Sequence, residues 1–191
     1  MKSYDLSNLT VLIVEKFATM RTIFRQVMRE FAIPHIYDAG DPEEGYVQFN
    51  DFSPDIVFID WAPGFDGLNL VQAIRKGKNT PDPFAAIIMV SAYTETHQIE
   101  EARDAGVTEY LAKPISANRI YNRIVAVIEN DRQFVRVEAF VGPDRRRLEH
   151  PYGGEERRAE NLAYDVKKPR TETQESDEAS NEKKDKSKDA D

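Results

Sequence analysis

The chain has 191 residues, a formal charge of −8 and no cysteine. That length holds one domain of ordinary size plus an extension. The absent cysteine excludes disulfides, thiolate catalysis and cysteine-ligated metals, and the acidic balance argues against general affinity for DNA or anionic membranes.

The first element is an apolar run, "TVLIVE" (Thr10 to Glu15). Behind it Met20, Ile23, Phe24, Val27, Met28 and Phe31 recur at three and four, which is one stripe of a helix. A weaker run, "HIYDA" (His35 to Ala39), precedes a short helical stretch around Tyr46 that Gly45 weakens. "DIVFID" (Asp55 to Asp60) leads to the helical stretch Leu68 to Ile74, and "AIIMVS" (Ala86 to Ser91) to the stretch Ile99 to Ala105. "EYLAK" (Glu109 to Lys113) comes before a second clear stripe, Ile120, Ile124, Val127 and Ile128.

The first, third and fourth runs are rich in Val and Ile without polar alternation, as in strands covered on both faces. Strand and helix alternating five times predict an α/β fold: a five-stranded, parallel, doubly wound (flavodoxin-like) sheet with helices on both sides. Chemistry in such folds gathers at the carboxyl ends of the strands. Glu15, Asp60, Ser91 and Lys113 each close a run and so converge on one crevice.

After Val141 only scattered apolar residues remain, too few for a second core. The expected organisation is a globular domain over residues 1–130, an arginine-rich segment over 131–170, and a charged, disordered tail over 171–191. Within the middle segment a unit repeats after twelve residues. Phe140, Gly142, Asp144, Arg145 and Arg146 correspond to Tyr152, Gly154, Glu156, Arg157 and Arg158, with Arg147 extending the first cluster. Arginine forks bind phosphate bidentately, read the O6 and N7 edge of guanine and stack on flat rings. The segment therefore suits a compact ligand with guanines and phosphates, although surface ion pairing with the interleaved acids explains it equally. His35, His97 and His150 are dispersed and indicate no metal site.

No apolar run approaches the roughly 18 residues that span a bilayer. The polar start "MKSYDLSN" is not a signal peptide, so a soluble cytoplasmic protein is expected.

Over roughly residues 8–130 the sequence resembles response-regulator receiver domains of the CheY type. The resemblance rests on Asp60 at the end of the third run, "DG" at Asp66 and Gly67, "SA" at Ser91 and Ala92, and "KP" at Lys113 and Pro114. It implies that Asp60 accepts a phosphoryl group, that Ser91 hydrogen-bonds a phosphoryl oxygen and that Lys113 pairs with the phosphate charge. It also makes Tyr110 an aromatic switch residue, where an ordinary edge-strand tyrosine is the alternative.

Two departures stand out. Receivers place two acids after the first strand, one of them a direct Mg²⁺ ligand; Glu15 takes the first place and Lys16 the second. Magnesium needs oxygen ligands, and Glu15 and Asp60 against Lys16 and Lys113 leave no net charge to attract a dication. The loop "DWAPGFDG" is also one residue short between Asp60 and Asp66, and by position it supplies the Ala62 carbonyl to the metal. Either Lys16 pairs with Asp60 and partly replaces the metal, or it turns to solvent and Mg²⁺ binds through Glu15, Asp60 and Ala62.

The tail resembles the arginine-rich extension of CheY-like cyclic di-GMP effectors, which implies that Arg145, Arg146, Arg147, Tyr152, Arg157 and Arg158 bind that dinucleotide. The expected function is signalling rather than enzymatic. No DNA-binding or enzymatic domain follows within these residues, so output is expected through protein contact at the face of the fourth helix, fifth strand and fifth helix. By resemblance the partner is a flagellar motor switch, a histidine kinase or phosphotransferase, or an attachment regulator. The alternatives are a phosphate sink with a working Asp60 and an RNA-binding adaptor.

Overall fold

The computed structural model describes residues 4–77, 80–129, 134–137, 140–144 and 162–164. Five strands alternate with five helices: β1 (Thr10–Val14), α1 (Ala18–Glu30), β2 (His35–Ala39), α2 (Pro42–Phe52), β3 (Ile56–Trp61), α3 (Gly67–Lys76), β4 (Ala86–Ser91), α4 (Thr96–Ala105), β5 (Glu109–Ala112) and α5 (Ala117–Ile128). All strand pairs are parallel and the order is β2-β1-β3-β4-β5, so the chain reverses its winding direction between β1 and β3. A crevice opens at such a reversal, at the carboxyl ends of the strands.

The sheet divides two cores. Phe24 and Met28 of α1 and Ile120 and Ile124 of α5 pack on Val11, Ile13, Phe58 and Val90. On the other side Phe49 of α2, Leu70, Val71 and Ile74 of α3 and Ala102 of α4 pack on Leu12, Val14, Ile59 and Met89. Adjacent strand residues thus bury side chains in opposite directions, which is why the central runs show no polar alternation. Each fully buried aliphatic or aromatic side chain contributes about 1.5–3 kcal/mol before the entropy cost of ordering it. Helix starts are locally encoded: the side chains of Asp41, Asp66 and Ser116 accept the backbone N–H groups of Glu44, Asn69 and Arg119.

The sequence places the end of the packed domain near residue 130, and here the structure differs. A second, antiparallel sheet of order β7-β6-β8 follows, made of β6 (Phe134–Val137), β7 (Phe140–Pro143) and β8 (Leu162–Tyr164). Phe134 and Val141 are only 3% and 6% exposed. These strands have too few apolar residues for a core of their own, and β7 instead packs on α3 and α4. The clusters Arg145 to Arg147 and Arg157 to Arg158, together with Tyr152 and residues 171–191, lie outside the described residues. Among the described residues no helix is long and apolar enough to cross a membrane.

Candidate functional site

The crevice brings together Glu15 after β1, Asp60 on β3, Ser91 at the end of β4 and Lys113 after β5, as the run endings predict. Glu15 and Asp60 are 2% and 1% exposed, and each gives an oxygen to the same ammonium. Lys113 Nζ lies 2.7 Å from Asp60 Oδ1 and 3.0 Å from Glu15 Oε2. The other Glu15 oxygen accepts the Phe17 N–H at 2.9 Å. Asp60 Oδ2 is buried and without a hydrogen-bond partner.

Burial pushes the Asp60 carboxyl up; the Lys113 hydrogen bond opposes this and the Glu15 charge adds to it, so it stands above the ordinary carboxylate range. For Lys113, burial alone would push the ammonium down, but its bonds to Asp60 and Glu15 outweigh that and hold it up. Lys113 is therefore a cation at neutral pH, shared between two carboxylates.

Lys16 does not make the expected pair with Asp60. Its side chain is exposed and lines a cleft of about 720 Å³ with Gly40, Asp41, Glu43, Phe65 and Asp66, beside the crevice rather than over Asp60. The reason lies in the backbone. Arg21 Nη1 donates to the carbonyls of both Glu15 (2.7 Å) and Lys16 (3.0 Å), while its Nε donates to Asp38 on β2 at 2.9 Å. That clamp sets the turn after β1, with Glu15 pointing inward and Lys16 outward. Arg21 lies on the polar side of the α1 stripe, where only its position six residues after Glu15 hints at this role.

The shortened loop after β3 folds as a tight turn in which Phe65 N–H donates to the Ala62 carbonyl at 2.9 Å. Gly67 is required behind it, because a Cβ there would stand 2.1 Å from the Asp60 carbonyl oxygen. Ser91 Oγ donates to the Trp61 carbonyl at 2.6 Å and accepts the Tyr93 N–H at 3.1 Å. Tyr110 turns inward and donates its hydroxyl to the Tyr93 carbonyl at 2.7 Å. Burial pushes this phenol up, so it stays a donor.

These residues do not fit a dication. Among the described residues no group of three or more His, Cys, Asp or Glu is arranged to hold a metal ion. The Ala62 carbonyl already accepts a hydrogen bond, three of the four oxygens of Glu15 and Asp60 are engaged, and only Asp60 Oδ2 is unpartnered.

Comparison with known proteins agrees with this architecture. The response regulator receiver domain family matches residues 11–125. The chain is 30% identical over 120 residues to the chemotaxis protein CheY of Pseudomonas aeruginosa, covering 62% of this chain and 95% of that one. Among solved structures, the chemotaxis protein CheY4 of Vibrio cholerae superposes with a TM-score of 0.57 at 21% identity, over 62% of this chain and 98% of that one. A complex of CheX and CheY with BeF₃ and Mg²⁺ from Borrelia burgdorferi gives 0.58 at 22%, over 64% and 90% of the two chains. At these identities the two structures establish the fold alone.

Proposed function

Because the chain belongs to the response regulator receiver family, we propose that it is a two-component signalling receiver whose output is contact with a protein partner and whose phosphorylation pocket is held by Lys113, which offsets one of its two carboxylate charges, rather than by a metal. One observation carries this reading: a single ammonium within 3.0 Å of both carboxylates. Phosphoryl transfer asks a protein chiefly to position groups and to neutralise charge. In this pocket the neutralising charge comes from the chain itself, so Asp60 is a poor acceptor from small donors.

The inward Tyr110 and the Ser91 hydroxyl held by Trp61 support a pocket at rest in one state, read by a flagellar switch, a histidine kinase or a phosphotransferase at the face of α4, β5 and α5. Incubation with acetyl phosphate and Mg²⁺, followed by intact-mass measurement, tests the reading. The expected result is no stoichiometric adduct. Full labelling that disappears in Asp60→Asn overturns it in favour of a working acceptor or phosphate sink.

A second reading, cyclic di-GMP capture by Arg145, Arg146, Arg147, Tyr152, Arg157 and Arg158, draws support from the strand order of the second sheet. Both β7 and β8 pair with β6, and the first copy of the repeated unit begins on β7 with Phe140 and Gly142, while its arginines lie outside the described residues. Calorimetry with cyclic di-GMP on the full chain tests it. No heat at micromolar ligand, or heat unchanged after replacing Arg145, Arg146, Arg157 and Arg158, removes it; binding that needs no guanine and falls steeply with salt indicates an RNA adaptor instead.

A further inference from the structure

The opposite end of the sheet holds a second buried cation with no part in the crevice. Arg75, in the last turn of α3, has no exposed surface. Its Nε donates to the Gly106 carbonyl at 2.9 Å, its Nη1 to the carbonyls of Pro83 (2.7 Å) and Ala85 (2.8 Å), and its Nη2 reaches Thr108 Oγ1 at 3.3 Å. One guanidinium thus joins α3 to the segments entering β4 and β5. Burial pushes it down to about 9, which leaves it charged at neutral pH.

The cover over Arg75 is the second sheet. The Phe134 ring of β6 lies 5.2 Å from the guanidinium carbon and meets Phe84 edge-on at 5.6 Å. One strand further on, β7 touches the end of α4 backbone to backbone. A Cβ on Gly142 would stand 2.8 Å from Gly106 Cα and 2.8 Å from the Phe140 ring. Gly106 closes α4 in the left-handed region (φ 101°), and a Cβ on it would stand 2.5 Å from the Val141 carbonyl oxygen. The nearest atoms across this contact are backbone, Gly106 Cα on one side and the Val141 carbonyl oxygen on the other.

The other end of α4 emerges from the loop after β4, where Ser91 and Tyr110 both bond Tyr93. We propose that the β6–β7 hairpin is a strap on the C-terminal end of α4, setting the helix position and through it the Tyr93–Tyr110 contact beside the crevice. The strap is a regulatory input reached from the C-terminal segment and remote from Asp60. It rests on the receiver reading above, and it can bias the pocket only insofar as its docking differs between two positions of α4. Its energetic reach follows from the geometry: a helix is stiff along its axis, its C-terminal end touches β7, and the loop that leads into it is bonded at Tyr93.

Hydrogen exchange on the full chain tests the strap. In Gly142→Ala the added methyl lifts β7 from Gly106. Exchange in α4 and in residues 92–95 should then rise by about tenfold or more, with β1 and β3 unchanged. Faster exchange confined to residues 134–143, with α4 as protected as before, overturns the proposal. Should Gly142→Ala lose protection throughout the sheet, Phe134→Leu decides by the same comparison, since it keeps an apolar plug and removes the ring over Arg75. Asp60 labelling in the unaltered chain judges the receiver reading separately, so the two ideas fail independently.

Discussion

Lys113 Nζ lies 2.7 Å from Asp60 Oδ1, whereas the second oxygen of that carboxylate is buried and accepts nothing. The carboxylate therefore depends chiefly on one partner. Lys113→Met leaves Asp60 and Glu15 as two buried, uncompensated anions. The variant should lose about 3 kcal/mol at neutral pH, near the lower end for breaking a buried pair because Lys113 keeps some contact with water. Urea denaturation measures this, and the deficit should shrink on acidification as the carboxylates protonate.

The raised Asp60 carboxyl makes an opposite prediction. The folded protein binds this proton more tightly than the unfolded chain does. Between the ordinary carboxylate value, about 3.9, and the raised native one, stability falls as pH rises. Ionised Asp60 is thus a net burden at neutral pH. Asp60→Asn should raise the urea midpoint at pH 7, with the gain vanishing below the ordinary carboxylate range. A lower midpoint at pH 7 would show that the Lys113 bond outweighs burial.

Lys16 is the residue that most changes the charge at the crevice mouth. Lys16→Asp removes a cation and adds an acid, turning a neutral set of four groups into one of charge −2. Trp61, the only tryptophan in the chain, adjoins Asp60 and reports the outcome by fluorescence. Saturable quenching by Mg²⁺ is expected in Lys16→Asp and not in the parent over the same concentration range. Identical titrations would mean that the engaged Ala62 carbonyl, rather than charge, bars the metal.

Arg75 donates to three main-chain carbonyls, those of Gly106, Pro83 and Ala85. Arg75→Met strands them, at about 1–3 kcal/mol each. The melting temperature should therefore drop by about 6 °C or more, at roughly 2–4 °C per kcal/mol for a domain of this size. Arg75→Lys should recover little, because an ammonium on a single stem cannot reproduce the planar fork.

The five runs and two strong helical stripes translate directly into strands and helices because they record burial on two sides of one sheet. The convergence of Glu15, Asp60, Ser91 and Lys113 follows from the same pattern, since parallel strands end at one rim. The direction of Lys16 does not follow. Adjacency to Glu15 says nothing about where a side chain points, and the deciding bonds come from Arg21 to main-chain oxygens. The strap is hidden for another reason: Phe134 to Val137 (FVRV) is four residues long and too short to show a period, and Arg75 ends the apolar stripe of α3 as an ordinary surface residue would. Its burial depends on carbonyls of Pro83, Ala85 and Gly106, distant in the chain and invisible to periodicity.

The two buried cations have unlike acceptors. Lys113 is held by carboxylates, which take up protons, whereas Arg75 is held mainly by peptide oxygens, which do not. The crevice pole of the sheet is therefore the chemically addressable one. A pH titration followed by NMR should move resonances around β1, β3 and β5 at the crevice end, and these shifts should shrink in Asp60→Asn.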